Sequence, residues 1–225
     1  MSIGQTISPT LSAESSGGRI LRFTFGERAG HWITALAYVY CLVTGLAFWS
    51  PYTYWLATLV GGGPTARFWH PWFGLVYTVG AFWMLQVWQP DMIITDADRA
   101  WSKAMRYYVQ NQDDKLPAIG RFNYGQKLFF WLMFYGGILL LLSGIGLWLV
   151  ESIPFSLRWL RFLCITIHVT AALATIGGFI IHVYMGTAMV RGEFASIIRG
   201  EVSTEWARHH HRLWYDQVMK QRSIK

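Results

Sequence analysis

Four histidines carry the chemistry that is legible in this 225-residue chain: His31, His70, His168 and His182. The last two sit near the ends of one apolar stretch, IHVTAALATIGGFIIH, which runs from Ile167 to His182. They are 14 positions apart. At 3.6 residues per turn both rings leave the same face of a helix, and at 1.5 Å per residue they are ~21 Å apart along its axis. That is most of the ~30 Å hydrocarbon thickness of a bilayer. One helix would thus offer two imidazoles at two membrane depths. Two neutral imidazoles that face one another can hold a haem iron from both sides. With both axial positions filled, no site is open to oxygen or substrate, so such a group passes electrons. A single intramembrane histidine is otherwise a hydrogen-bonded packing residue; four of them, pairing by depth, favour ligation.

The elements that must position these rings are four apolar segments, about Trp32–Trp49, Trp69–Trp88, Leu128–Val150 and Trp159–Val190. Each is near the ~20 residues a spanning helix needs, and the last is long enough to project beyond the bilayer. The composition agrees: 53% of residues are hydrophobic and 14% charged, against about 25% charged in soluble domains. Thirteen Trp, eleven Tyr and fourteen Phe suit interfacial belts, and Trp and Tyr cluster at several segment ends. The fold class expected is an all-α integral membrane protein, a four-helix bundle enclosing two b haems.

The formal charge of +7 reads as topology rather than nucleic-acid binding, because sixteen of the nineteen Lys and Arg fall before segment 1, between segments 2 and 3, or after segment 4. Only Arg67, Arg158 and Arg161 lie on the other side. The positive-inside rule then places both termini and the 2–3 loop in the cytoplasm. On that topology His31 and His182 share the inner level, and His70 and His168 the outer one. Since the topology comes from Lys and Arg alone, the match in depth is independent support for these two pairs.

A second constellation is RFNYGQK, Arg121–Lys127, where segment 3 begins on the cytoplasmic side. Asn123 and Gln126 suit a helix cap three positions apart. Polar groups at the membrane edge also suit a quinone, which needs hydrogen bonds for its carbonyls, an apolar groove for its tail and a nearby electron source. Asn123 lies near the level of His182, so protons would come from the cytoplasm. Gly45, Gly74, Gly137, Gly144, Gly177 and Gly178 suit either a flat macrocycle or helix packing. Arg28 and Arg67 suit either propionates or headgroups.

Other features are weaker. His209, His210 and His211 lie in a polar region, and three consecutive side chains on a helix do not converge on one metal. Cys41 and Cys164 sit singly in apolar runs and no CxxCH occurs, so neither covalent haem nor an iron–sulfur centre is indicated. Residues 97–110 (ADRAWSKAMRYYVQ) read as one short amphipathic cytoplasmic helix at the membrane surface or against a partner, with an ordinary connector helix as the alternative. Residues 1–18 are polar without an apolar signal-peptide core and are expected to be a flexible N-terminal tail. The membrane domain is expected over 19–190 and a cytoplasmic C-terminal tail over 191–225, where Trp206, Trp214 and Tyr215 suggest docking rather than free disorder.

With these motifs the chain resembles the cytochrome b, or gamma, subunits of membrane-bound respiratory formate dehydrogenases. The resemblance rests on RAGHW at segment 1, FWHPWFG at segment 2, GRFNYGQKLFFW at segment 3, IHVTAA…FIIHVYMGT in segment 4 and RGEVSTEWARHHHRLWY at the end. It covers nearly everything after Gly18. It implies two b haems held by His31/His182 and His70/His168, and a bacterial inner-membrane location. The implied partners are an iron–sulfur beta subunit and a molybdenum- or tungsten-containing catalytic alpha subunit on the periplasmic side, and a higher oligomer of the heterotrimer is compatible with the resemblance. Electrons would travel from the outer pair to the inner one and reduce menaquinone or ubiquinone beside His182, Asn123 and Gln126. Four helices with four ligand histidines also occur in nickel–iron hydrogenase and thiosulfate-reductase cytochrome b subunits. A histidine-relay transporter is the rival from another class, and it predicts a colourless protein; an anchor without cofactor would leave four paired histidines without a task.

Overall fold

The computed structural model describes residues 14–15, 18–110 and 112–224. Most of the expected N-terminal tail therefore lies outside the described residues. The chain runs as β1 (Glu14–Ser15), β2 (Arg19–Leu21), α1 (Phe25–Trp49), α2 (Gly63–Trp88), α3 (Asp96–Lys103), α4 (Met105–Val109), α5 (Tyr124–Trp148), α6 (Trp159–Tyr184), α7 (Glu193–Arg199), β3 (Glu201–Ser203), α8 (Thr204–His210) and α9 (Arg212–Ile224). One π-helical stretch, Met185–Met189, extends α6.

Four helices have 25 or 26 residues; α1 and α2 contain the first two apolar segments, while the third and fourth run past the ends of α5 and α6, to Val150 and Val190. Three are long and apolar enough to cross a membrane: Phe25–Trp49, Tyr124–Trp148 and Trp159–Met189. α2 has the length, but Arg67, His70, Pro71 and Gln86 dilute its apolar run. Large apolar side chains stay outward along these helices, among them Val79, Leu142 and Phe162. In water that exposure would be a liability; in lipid it costs nothing.

The chain gathers into two compact units. One comprises Ala29–Leu85 and Trp131–Phe179. Its interior includes Ala37, Tyr38 and Tyr77, packed by Phe73, Met133 and Phe179, and a second cluster of Ala47, Ala57 and Ala66. Tyr77 donates its hydroxyl to the Met133 carbonyl at 2.8 Å, tying α2 to α5.

The other unit comprises the described residues up to Arg28, with Gln86–Phe130 and the chain from Ile180. Here β2 pairs antiparallel with β1 and with β3, Ile20 lying opposite Val202. Ile20, Val202, Ala207, Trp214 and Val218 form its core, with Trp206 and Tyr215 packed against it. The aromatics of the 191–225 segment thus dock on their own chain, and that segment is folded through α9. Gly200 has φ +87, and a Cβ there would fall 2.6 Å from the Phe23 carbonyl oxygen, so only glycine fits. Its carbonyl accepts from the Arg22 and Phe23 N–H groups.

The 97–110 stretch is two helices rather than one. A capping box of Thr95 and Asp98 opens α3, and the helix stops at Ala104, whose N–H turns back to Trp101 and Ser102. Trp101 is buried and meets the Tyr108 ring edge-on at 5.0 Å. Lys127 fixes this region to α5 by donating to Asp98 Oδ2 at 2.7 Å and to the Ile93 carbonyl at 2.9 Å.

Candidate functional site

His70 on α2 and His168 on α6 come together, their ring centroids 6.3 Å apart and their planes tilted by 56°. Each ring is held by a hydroxyl from another helix. Thr44 Oγ1 on α1 is 2.6 Å from His70 Nδ1, and Ser143 Oγ on α5 is 2.9 Å from His168 Nδ1. Both hydroxyls donate to the carbonyl four residues back in their own helix, Thr44 to Tyr40 at 2.7 Å and Ser143 to Leu139 at 2.6 Å. With that proton committed, each hydroxyl oxygen accepts from the imidazole, so Nδ1 carries the hydrogen and Nε2 keeps its lone pair. The next residue is glycine in both cases. A Cβ on Gly45 would lie 3.7 Å from His70 Cε1, and one on Gly144 would lie 3.2 Å from His168 Cε1.

This arrangement fits two axial ligands of one metal. A metal–imidazole bond is about 2 Å, which with about 1 Å more to each ring centre gives roughly 6 Å between rings on opposite sides of an ion. No group of three or more His, Cys, Asp or Glu able to hold a metal ion occurs among the described residues. The remaining donors would have to come from the ligand itself, as they do in a porphyrin.

His31 lies on α1, with the Trp32 ring edge-on at 5.3 Å. His182 lies on α6, stacked on Phe129 of α5 at 4.3 Å with the planes 3° apart. His168 and His182 share one helix, as their spacing predicts.

Asn123 and Gln126 form the reciprocal cap of α5. Asn123 Oδ1 accepts from the Gln126 N–H at 2.8 Å, and Gln126 Oε1 accepts from the Asn123 N–H at 2.9 Å. Gln126 Nε2 donates to Glu193 Oε1 at 2.8 Å. Both ends of the Gln126 amide are therefore committed. The Asn123 amide nitrogen makes no hydrogen bond among the described residues, and Asn123 lines a polar cleft of ≈ 710 Å³ with Trp101, Tyr108, Glu193, His209 and His210. Gln126 and His182 are not on its wall.

No local sequence signal marks what stands behind Glu193. The buried Arg22 donates to Glu193 Oε2 at 2.8 Å, to the Arg121 carbonyl at 3.2 Å and to His211 Nε2 at 3.1 Å. His211 Nδ1 in turn donates to the Gly120 carbonyl at 2.8 Å. Burial, reinforced by the Arg22 guanidinium, pushes the His211 pKa down to about 3. Burial alone would raise the Glu193 carboxyl, but Arg22 and the Gln126 amide hold it below the usual carboxylate range. Arg28 donates to the Ile198 carbonyl, and Arg67 lines a hollow of ≈ 660 Å³ with Phe48 and Tyr54.

Residues 22–200 match the family described as prokaryotic cytochrome b561. The chain belongs to the prokaryotic cytochrome b561 family. Among its curated relatives, the formate dehydrogenase cytochrome b556(fdo) subunit of Escherichia coli K12 is 36% identical over 203 residues, covering 89% of this chain and 94% of the relative. The nitrate-inducible formate dehydrogenase cytochrome b556(Fdn) subunit of the same organism is 28% identical over 212 residues, 94% and 97% of the two chains. The formate dehydrogenase cytochrome b556 subunit of Haemophilus influenzae is 29% identical over 202 residues, 89% and 84%. The resemblance carried by the sequence motifs is thereby borne out. For a prokaryotic cytochrome b561 a b haem is the expected group, and the His70–His168 pair has the donor set to take one.

Proposed function

We propose that this chain is the dihaem cytochrome b subunit of a membrane-bound formate dehydrogenase. In this reading it sits in the bacterial inner membrane, with α2 as a fourth span and both termini in the cytoplasm. It anchors an iron–sulfur subunit and a molybdenum- or tungsten-containing catalytic subunit. The observation that carries the reading is the His70–His168 pair, whose rings are spaced for one metal and whose Nδ1 atoms are both committed to hydroxyls. The family membership and the three relatives support it.

His70 and His168 would hold one haem. His31 and His182, matched in depth by the sequence, would hold the other. Bound haem supplies one-electron transfer between the iron–sulfur partner and a quinone. The chain's own residues do the rest. The hydroxyls fix the ligand rings. The quinone site read from the sequence at Asn123, Gln126 and His182 would bind chiefly through the Asn123 amide nitrogen, which donates to a quinone carbonyl near the cytoplasmic side, since the Gln126 amide is taken up by the cap and by Glu193. The polar cleft beside Asn123 admits the water that supplies protons. Inward electron movement with cytoplasmic proton uptake would build a protonmotive force.

The test is a pyridine haemochrome assay with a reduced-minus-oxidised spectrum of the purified complex. Two low-spin b haems per chain are expected. A folded, colourless chain would overturn the proposal.

A further inference from the structure

We propose that Thr44 and Ser143 are positioning residues that lower the reduction potential of the haem held by His70 and His168. The inference rests on the proposed haem pair and goes beyond it.

The two hydroxyls are alike in burial, in their back-bond and in their imidazole contact. Each is shielded from solvent, at 0% exposure for Thr44 and 4% for Ser143. Each back-bonds to the carbonyl four residues earlier and meets an imidazole Nδ1 from another helix. Each is followed by the glycine that borders that same ring. Back-bonding alone is ordinary in apolar helices, where a hydroxyl must find an acceptor; Thr34, Thr78 and Thr166 do the same with Gly30, Gly74 and Phe162. What sets Thr44 and Ser143 apart is that the second lone-pair direction is spent on a histidine, and that it happens once for each member of the facing pair.

An acceptor on Nδ1–H fixes the ring and its tautomer and makes Nε2 a stronger electron donor to its metal. A stronger donor favours the oxidised ion. Adding one electron to that ion leaves both Nδ1–H bonds in place, so no proton has to move with it. A carboxylate in place of the hydroxyl would act more strongly but would bury a charge in the membrane. The hydroxyl is a neutral device that keeps the outer haem low, on the side where electrons arrive.

The experiment is a potentiometric titration of the complete complex, followed in the visible spectrum, for wild type, Thr44→Val, Ser143→Ala and the double variant. The component absent from His70→Ala marks the outer haem. Its reduction equilibrium should shift several-fold toward the reduced form in each single variant and further in the double, at ~59 mV per tenfold for a one-electron couple. The other haem should stay where it was, and Thr44→Ser and Ser143→Thr should titrate near wild type. Should Thr44→Val lose the outer haem, Ser143→Ala decides alone, and an unchanged outer potential there would overturn the role. Both haems present at unchanged potentials in the double variant would overturn it while leaving the haem pair intact. A wild-type chain without haem would overturn the underlying reading as well.

Discussion

Asn123 Oδ1 and the Gln126 N–H are 2.8 Å apart, and the reverse bond from the Asn123 N–H to Gln126 Oε1 is 2.9 Å. The cap therefore uses the backbone and the oxygen of Asn123 and leaves its amide nitrogen at the cleft. Capping and the proposed quinone contact, which look like rival explanations of the same residue in the sequence, would draw on different atoms.

That division predicts a separation of effects. Asn123→Asp keeps a good capping oxygen and removes the donor. Helix stability should hold and both haems remain, while quinone turnover falls by about tenfold or more, the loss of one hydrogen bond to a substrate carbonyl being worth roughly 1–2 kcal/mol. Asn123→Ala should lose turnover and also ~1 kcal/mol of stability from the missing cap. Wild-type quinone kinetics in Asn123→Asp would return the residue to capping alone.

His70→Ala removes one imidazole of the pair at 6.3 Å, a proposed haem ligand. One b haem per chain should disappear. Formate-to-quinone electron flow should stop, while formate oxidation with a soluble dye acceptor continues on the partner subunits. The check is haem quantification beside the two activities, and unimpaired quinone reduction would break the electron path proposed for this chain.

The apolar cores of the four long helices were readable because hydrophobic runs are local. Their ends were not. α1 begins at Phe25, seven residues before Trp32, because Thr24 and Glu27 cap each other, with the Thr24 N–H on Glu27 Oε2 at 2.8 Å. The histidine spacing on α6 was legible because it depends only on helix periodicity. Thr44 and Ser143 were not, since a hydroxyl and an imidazole on different helices share no sequence signal; a Thr-Gly and a Ser-Gly dipeptide inside apolar runs are the only trace. The segment after Arg191 looked like a tail because its partners lie far back in the chain. Arg19 reaches Glu201 across 182 positions, and Arg22 reaches His211 across 189.

The Glu27–Arg121 pair predicts a stability effect independent of electron transfer. Arg121 donates to Glu27 Oε1 at 2.7 Å, and the Trp88 indole N–H donates to the same oxygen at 2.7 Å. Both charged side chains are buried. Removing Glu27 leaves the buried Arg121 guanidinium to Asp91, at 3.0 Å, and takes the acceptor from the Trp88 indole, at a cost of roughly 1–3 kcal/mol. Glu27→Ala should therefore lower the thermal midpoint of the detergent-solubilised protein strongly, whereas Asp96→Ala, which breaks an exposed i,i+3 pair with Arg99, should change it little.

His211 supplies the pH dependence. Its folded pKa of about 3 lies below the ~6.5 of an unfolded histidine. Between those values the unfolded chain binds a proton that the folded one refuses, so stability rises with pH across the window and falls on acidification. Arg22 and Gly120 hold the neutral ring on its two nitrogens, while the carboxylate of Glu193 and the neighbouring His210 act on it with opposite sign. Glu193, with its own pKa lowered by Arg22, pushes the same way, since protonating it weakens that contact. Going from pH 7 to pH 5 should cost ~1–2 kcal/mol through His211. His211→Gln has no proton to gain, so its stability should be flatter over this range even if it is lower at pH 7. Thermal unfolding of both proteins between pH 5 and 8 measures the difference, and equal acid sensitivity in the two would show that His211 is not the group responsible.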